Sequence, residues 1–226
     1  MSALDSIAMR TTSENRFSLD GSGLAPRAIE QFEAYLALLL KWNARINLTA
    51  DREPKEIVRR HFAESIFAAQ QIPKKVKTLL DFGSGAGFPG IPIGICRPGI
   101  GVTLSESQAK KSAFLREVVR TLELKAEVWP GRVEEMAEDR VFDAVTLRAV
   151  ERMPKACRAA VQRLAFGGWI TVFATRKTET AIEEVAGVRW ETAVEIPGSE
   201  QEILKTGRRV RQQATGNRQQ AIGNRQ

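Results

Sequence analysis

The fold is decided by the stretch Thr78-Leu-Leu-Asp-Phe-Gly-Ser-Gly-Ala-Gly-Phe-Pro-Gly90, which predicts a buried strand that runs into a glycine-rich turn. Its compact apolar start is typical of a parallel strand covered on both faces. Gly83, Gly85 and Gly87 allow a positive φ or a close approach of the backbone to a ligand. The apolar run 91–96 then predicts a helix whose N-terminal N–H groups point at the turn. This pattern indicates a nucleotide-type site.

The residues around the turn narrow the class of ligand. Glycine-rich turns of this kind also bind NAD or FAD, and others are tight turns that bind no ligand. Glu106 follows the next predicted strand about twenty residues further on, where an acid hydrogen-bonds ribose hydroxyls. No Gly-Lys-Ser/Thr ending follows the turn, and Asp81 beside it would repel a pyrophosphate. A cofactor with a ribose, an adenine and an amino-acid head but no phosphates, S-adenosylmethionine, fits better.

Strands and helices are predicted to alternate from 76 to about 196, which indicates a right-handed, doubly wound α/β sheet. A chain of 226 residues can bury one substantial core and carry a helical extension. We therefore divide the chain into a flexible lead-in over 1–22, an N-terminal helical extension over 23–72, the domain with the cofactor site over 73–206 and a basic low-complexity tail over 207–226.

The extension is predicted to contain two helices. An amphipathic helix begins at Pro26, and a second spans roughly 54–70 with Asn47 or Thr49 as its cap. His61, the only histidine, lies on the second helix. It is either a core residue or a group that shapes the mouth of the cofactor or substrate site.

Further candidates follow the later strands. Val133 and Glu134 come after a predicted strand at 126–129, at the sheet edge where ligands bind, and suit an adenine. Arg148 ends a strand at 142–147, where it either pairs with an acid or clamps an anion. Gly167-Gly168 is predicted to close a helix that spans 153–164. The remaining strands are predicted at 169–173, at 188–196 and, as a short one, at 203–204.

The net charge and the two cysteines limit the possible functions of the chain. Six cations from Lys205 onward account for nearly all of the net charge of +7. The high net charge therefore supports RNA binding only if this basic tail contacts RNA. The tail repeats a polar heptad over 212–218 and 219–225 and is expected to be disordered. Cys96 and Cys157 are expected to be buried hydrophobes, and no metal site is indicated. No membrane span or secretion signal is predicted, which makes the cytoplasm the expected compartment.

The chain resembles the bacterial 16S ribosomal RNA guanine-N7 methyltransferases, also called the glucose-inhibited division protein B or RNA methyltransferase G family. The resemblance covers roughly 25–200 and rests on five motifs in order. They are Lys41-Trp-Asn-Ala-Arg-Ile-Asn-Leu-Thr49, Arg60-His-Phe-Ala-Glu-Ser-Ile66, Asp81-Phe-Gly-Ser-Gly-Ala-Gly-Phe-Pro-Gly-Ile-Pro92, Gly131-Arg-Val-Glu134 and the strand end Leu147-Arg-Ala149.

The resemblance implies a Rossmann-like methyltransferase sheet and methylation of guanine N7 in 16S ribosomal RNA, at nucleotide 527 in the 530 loop. It implies cofactor contacts at six positions, which are Gly83, Phe88, Glu106, Val133, Glu134 and Arg148. The chain departs from the family where Glu106 replaces an aspartate and where Arg176-Lys177 replaces Lys-Gly. Glu106 keeps the charge but has a longer reach toward the ribose, and Arg176-Lys177 is expected to change the shape of the loop.

The mechanism that follows needs no catalytic base, because N7 of guanine carries a free lone pair, and Arg148 is expected to help align the substrates. Four cations are candidates for RNA phosphates: Lys110, Lys111, Arg176 and Lys177. The expected partner is 16S ribosomal RNA or a precursor of the small ribosomal subunit, and the chain is expected to be a monomer. The alternatives are a small-molecule methyltransferase and a non-catalytic nucleotide- or RNA-binding module.

Overall fold

The computed structural model describes residues 23–199 and 201–211. Within them one sheet has the order β3-β2-β1-β4-β5-β8-β6, and β7 pairs with β8. The strands are β1 (Thr78–Phe82), β2 (Gly101–Ser105), β3 (Ala126–Trp129), β4 (Phe142–Leu147), β5 (Leu164–Thr175), β6 (Val188–Trp190), β7 (Val194–Glu195) and β8 (Glu202–Arg209). The first five run parallel, and β8 is antiparallel to β5. The predicted doubly wound, mostly parallel sheet is confirmed.

Helices connect the strands and form the N-terminal extension. They are α1 (Pro26–Asn43), α2 (Pro54–Glu56), a π-helical segment (Ile57–Phe62), α3 (Ala63–Gln71), α4 (Gly90–Cys96), α5 (Ala109–Thr121), α6 (Met153–Gln162) and α7 (Arg176–Glu183), with a 3-10 turn at Val133–Glu135. In this part of the chain no helix is both long enough and apolar enough to cross a lipid bilayer.

The central strand is buried on both faces, as its sequence predicts. Leu79 packs into the apolar cluster that includes α1, α4 and α5, whereas Leu80 packs into the cluster with α6 and α7. Both leucines are fully buried. Because neighbouring side chains of a strand point to opposite faces, helices must cover both sides of this sheet.

The N-terminal extension shares its core with the sheet domain. The Tyr35 hydroxyl on α1 donates to the carbonyl of Ala86 in the glycine turn at 2.6 Å, and its ring stacks on Phe62. Trp42 Nε1 donates to Glu117 on α5 at 2.9 Å. Helix α1 therefore holds the glycine turn from outside the sheet.

Two local predictions are wrong. The second helix begins after Glu53 and has no side-chain cap, so neither Asn47 nor Thr49 caps it. Helix α6 ends at Gln162, and Gly167-Gly168 lies inside β5 where the pairing with β4 shifts register. Gly167 has a φ of 76°. A glycine at a strand irregularity and one at a helix end look alike in sequence, because both use positive φ.

The far end of the sheet also differs from the prediction. The strand expected at 188–196 is split into β6 and β7, and the short strand expected at 203–204 extends through Arg209. That strand lies between β5 and β6, with Gly207 opposite Ile170. The boundary placed at 207 therefore falls inside the sheet. Antiparallel insertion of a late strand depends on distant partners, which a local pattern does not reveal.

Several cations assigned to the tail belong to this strand. Lys205 is 2% exposed and pairs with Glu183 and, at 3.2 Å, with Glu179. Arg209 donates to the carbonyl of Leu164. The positive charge of the C-terminal region is therefore partly structural. The predicted disordered repeats at 212–225 lie outside the described residues.

We expect Tyr35→Phe to lower the free energy of unfolding by about 1–3 kcal/mol, because the buried carbonyl of Ala86 loses its donor. Chemical denaturation measures this change. Thr180→Val removes an exposed hydroxyl and serves as the control. Equal stabilities of the two variants would show that the contact between α1 and the glycine turn contributes nothing.

Candidate active site

A cavity of about 510 Å³ opens at the carboxyl edge of the sheet, beside the glycine turn. Residues that follow β1, β2, β3 and β4 line it, including Gly83, Glu106, Val133 and Ala149. A second cavity of about 580 Å³ lies at the opposite edge, around Thr78 and Phe142. Ligands of open α/β sheets bind outside the carboxyl ends of the strands. We therefore assign the site to the smaller cavity.

The turn takes the conformation that only glycine adopts readily. Gly83, Gly85 and Gly87 have φ values of 68°, 56° and 99°. A side chain at Gly87 would lie 2.6 Å from Ile91 and 2.9 Å from the Tyr35 hydroxyl. Close packing therefore fixes this glycine, whereas Gly83 faces the cavity.

Glu106 joins the turn to the end of β2. One carboxylate oxygen accepts from the N–H of Gly85 at 2.9 Å, and the other accepts from the N–H of Gln108 at 2.7 Å. Glu106 is only 7% exposed, yet it lines the cavity. Each oxygen retains a free lone pair, so the carboxylate can accept from the hydroxyls of a bound ribose. The geometry fits the role that the sequence predicts.

The loop that carries Val133 and Glu134 is held by a residue that the sequence analysis missed. Arg163 is buried and donates to the carbonyls of Ala137 at 2.6 Å and Met136 at 3.0 Å. It thereby ties the loop after β3 to the start of β5. A buried arginine near a helix end is not distinguishable in sequence from an exposed one.

Arg148 forms a buried ion pair with Glu64 of α3. Its guanidinium carbon lies 4.8 Å from the ring centre of Phe173. Burial raises the pKa of Glu64 to about 7, although Arg148 opposes the shift. Among the residues that the structure describes, no hydrogen-bond partner is present for Arg148 Nη1, which is buried. Both interpretations of Arg148 therefore find support, because it pairs with an acid and also has a donor left for an anionic ligand.

The first family motif explains the position of His61. The side chain of Asn43 accepts from the N–H of Leu48 at 2.9 Å and folds the following loop. That loop brings Asp51 to 2.9 Å from His61 Nε2, and the imidazole stacks on Phe88 with 4.8 Å between ring centres. Burial, with the nearby charge of Arg148, lowers the pKa of His61 to about 4. His61 is therefore neutral at physiological pH and supports the glycine turn through Phe88.

Asp81 is buried where β1 enters the turn. Its carboxyl group accepts from the Thr146 hydroxyl at 2.8 Å and from the N–H of Gly90 at 3.2 Å. Burial raises the pKa of Asp81 to about 6, against the hydrogen bonds from Thr146, Ser84 and Gly90. This carboxyl group anchors the end of the turn and does not line the cavity.

The predicted site residues fall into two groups. Gly83, Glu106, Val133 and Glu134 line the cavity. The other three predicted cofactor residues, Gly85, Phe88 and Arg148, are not among the residues that line it.

The predicted RNA contacts are dispersed. Lys110 and Lys177 are exposed, and Lys111 lines the cavity. Arg176 already pairs with Glu179 at 3.1 Å and with Glu195 at 3.3 Å. The other three cations form no ion pair within the described part of the chain.

The two cysteines take no part in this site. Cys157 is fully buried and Cys96 is half-buried. Burial raises the pKa of both thiols to about 12. Both cysteines therefore remain neutral and unreactive at physiological pH, as their apolar sequence surroundings predict.

We expect Asp81 to make stability depend on pH. Because its folded pKa is raised from 3.8 to about 6, the folded state holds the proton more tightly. Its contribution to the free energy of unfolding therefore falls by about 3 kcal/mol as the pH rises from about 4 to about 6. Denaturation of wild type and of Asp81→Asn across this range measures the difference. Parallel pH profiles would contradict the assignment.

The comparisons with known proteins agree with this geometry. The family model described as rRNA small subunit methyltransferase G, GidB, matches residues 28–206. A protein named Ribosomal RNA small subunit methyltransferase G from Roseiflexus sp. (strain RS-1) is 39% identical, over 81% of this chain and 84% of its own length. The protein of that name from Lachnoclostridium phytofermentans is 38% identical, over 73% and 70% respectively.

Solved structures show the same fold. A SAM-dependent methyltransferase from Aquifex aeolicus matches with a TM-score of 0.56 and 15% identity, over 69% of this chain and 93% of that one. The M. jannaschii TYW2 structure in complex with AdoMet matches with a TM-score of 0.54 and 15% identity, over 66% and 76%. The Rossmann-like methyltransferase fold and the family inferred from the motifs are confirmed: the chain belongs to the GidB family, the small-subunit ribosomal RNA methyltransferases G.

Proposed function

We propose that this enzyme transfers the methyl group of S-adenosylmethionine to N7 of a guanine in 16S ribosomal RNA. The observation that carries the proposal is the cavity at the glycine turn, with the Glu106 carboxylate in its wall. Family membership supplies the substrate class. The guanine at nucleotide 527 is the family's target, and we propose the same target here.

The cavity residues suit the parts of the cofactor. Glu106 would accept from the ribose hydroxyls, while Val133 and Glu134 would meet the adenine with an apolar wall and a polar edge. Arg148 Nη1 has no partner among the described residues and would donate to the carboxylate of the methionine part if its guanidinium turned toward the cavity. Gly83 and Gly85 would let the backbone approach that part closely, and Phe88 would support the turn from behind.

The chemistry requires alignment and no proton transfer. When bound, S-adenosylmethionine would supply a methyl group on a sulfonium sulfur, so that the N7–C bond would form as the S–C bond breaks and the positive charge would pass to the guanine ring. Fixing the two reactants in line contributes on the scale of about 7–11 kcal/mol. No side chain of this site needs to act as a general base, and Arg148 would act by orientation.

The substrate is a polyanion, so binding depends on cations. Lys110, Lys111, Arg176 and Lys177 are proposed phosphate contacts. Arg176 would contact a phosphate by giving up its ion pair with Glu179 or its ion pair with Glu195. We propose that the enzyme acts as a monomer in the cytoplasm on 16S ribosomal RNA or on a precursor of the small subunit, with the extension over 23–72 supporting the catalytic domain.

The proposal is tested by incubating the purified chain with labelled S-adenosylmethionine and separate acceptors. The acceptors are naked 16S ribosomal RNA, small ribosomal subunits and a mixture of small metabolites. We expect one N7-methylguanine in the RNA or the subunit. Labelled metabolites with unlabelled RNA would show a small-molecule enzyme, and cofactor binding without any transfer would show a non-catalytic module.

We expect Glu106→Gln to weaken the binding of S-adenosylhomocysteine about tenfold to a hundredfold, since hydrogen bonds to a charged group are worth about 1.5–3 kcal/mol. Titration calorimetry measures the affinity. Glu138→Gln changes an exposed acid of another surface and should bind as wild type does. Undiminished affinity of Glu106→Gln would remove Glu106 from the cofactor site.

A further inference from the structure

Two helices begin at the mouth of the cofactor cavity, and each carries a pair of cations at its start. Lys110 and Lys111 lie in the first turn of α5, whereas Arg152 precedes α6 and Lys155 lies in its first turn. Lys111, Arg152 and Lys155 line the cavity, and Lys110 is exposed beside them. The two pairs therefore flank one opening from different elements.

The positions of these cations are unfavourable for the isolated helices. Neither helix has an acid in its first turn or a side-chain cap. A cation near a helix N-terminus opposes the helix dipole by about 0.3–1 kcal/mol. Arg152 also has a φ of 52°, a conformation that costs a non-glycine residue about 1–2 kcal/mol. Arg152 and Lys155 are exposed, so packing does not explain their placement.

The four cations also differ from other exposed cations of the chain that form ion pairs. Arg27 pairs with Glu123, and Arg59 pairs with Glu56. Among the described residues no acid lies within 4.0 Å of the charged nitrogens of Lys110, Lys111, Arg152 or Lys155. Their charges are free at the cavity mouth.

Among the described residues, the acids that line the cavity form no ion pair with these cations. Glu106 is held by two backbone N–H groups, and in the described part of the chain Glu134 and Glu151 form no ion pair. The cofactor has a single carboxylate and no phosphate, so it does not require four cations. A phosphate backbone does, because each neutralised phosphate contributes to affinity.

We propose that Lys110, Lys111, Arg152 and Lys155 form a phosphate-binding rim that carries the ribosomal RNA backbone across the mouth of the cofactor cavity. The inference rests on the proposed function, because it requires an RNA substrate. It adds Arg152 and Lys155 to the RNA interface and places that interface on the adenosine side of the cavity. Each of the four side chains contacts a phosphate of the RNA backbone and does not distinguish between base sequences.

The test uses two charge reversals in the full-length chain, Lys110→Glu with Lys111→Glu and Arg152→Glu with Lys155→Glu. We expect each pair to weaken binding of 16S ribosomal RNA at least tenfold. The slope of log affinity against log salt should become shallower by roughly 0.7–0.9 for each phosphate that is no longer neutralised. The melting temperature should stay the same or rise, because acids suit helix N-termini. The affinity for S-adenosylhomocysteine should change less than the affinity for RNA.

The matched control is Lys74→Glu with Lys75→Glu, two exposed cations before β1, at the opposite edge of the sheet. RNA binding equal to the control would overturn the proposal. Loss of S-adenosylhomocysteine binding with RNA binding intact would assign the cations to the cofactor instead. If a reversal unfolds the protein, Arg152→Gln with Lys155→Gln repeats the measurement with a smaller expected change. Failure of the wild type to methylate any RNA would reject the proposed function separately.

Discussion

The glycine turn after β1 keeps its shape because three buried side chains hydrogen-bond its backbone from different parts of the chain. Tyr35 of α1 donates to Ala86, Glu106 after β2 accepts from Gly85, and Asp81 of β1 accepts from Gly90. A turn with three positive φ values has no regular hydrogen-bond ladder of its own. Its geometry therefore depends on the N-terminal extension as much as on the sheet.

This dependence gives the extension a functional meaning. Two of its side chains contact residues beside the site, since Glu64 pairs with Arg148 and His61 stacks on Phe88. Each joins a helix outside the sheet to an element at its carboxyl edge. A change that loosens the packing of the extension should therefore disturb the cofactor site through these two side chains. The extension is not an independent lid.

Much of the fold and the site was predictable from sequence because the signals are local. The strand and turn at 78–90, the acid at Glu106 and the loop at 131–134 each follow from spacing and residue type. The contributions of Arg163 and Glu64 were not predictable, since both act through partners far away in the chain. The same reason explains the misplaced end of the sheet, where β8 inserts between β5 and β6.

The most direct test of this account is a crystal structure of the protein with S-adenosylhomocysteine. The account predicts the adenosine in the cavity at the carboxyl edge, with the ribose hydroxyls about 2.5–3.0 Å from the Glu106 carboxylate and the adenine beside Val133. A ligand seated in the larger cavity around Thr78 and Phe142, or one that leaves Glu106 without contact, would contradict it.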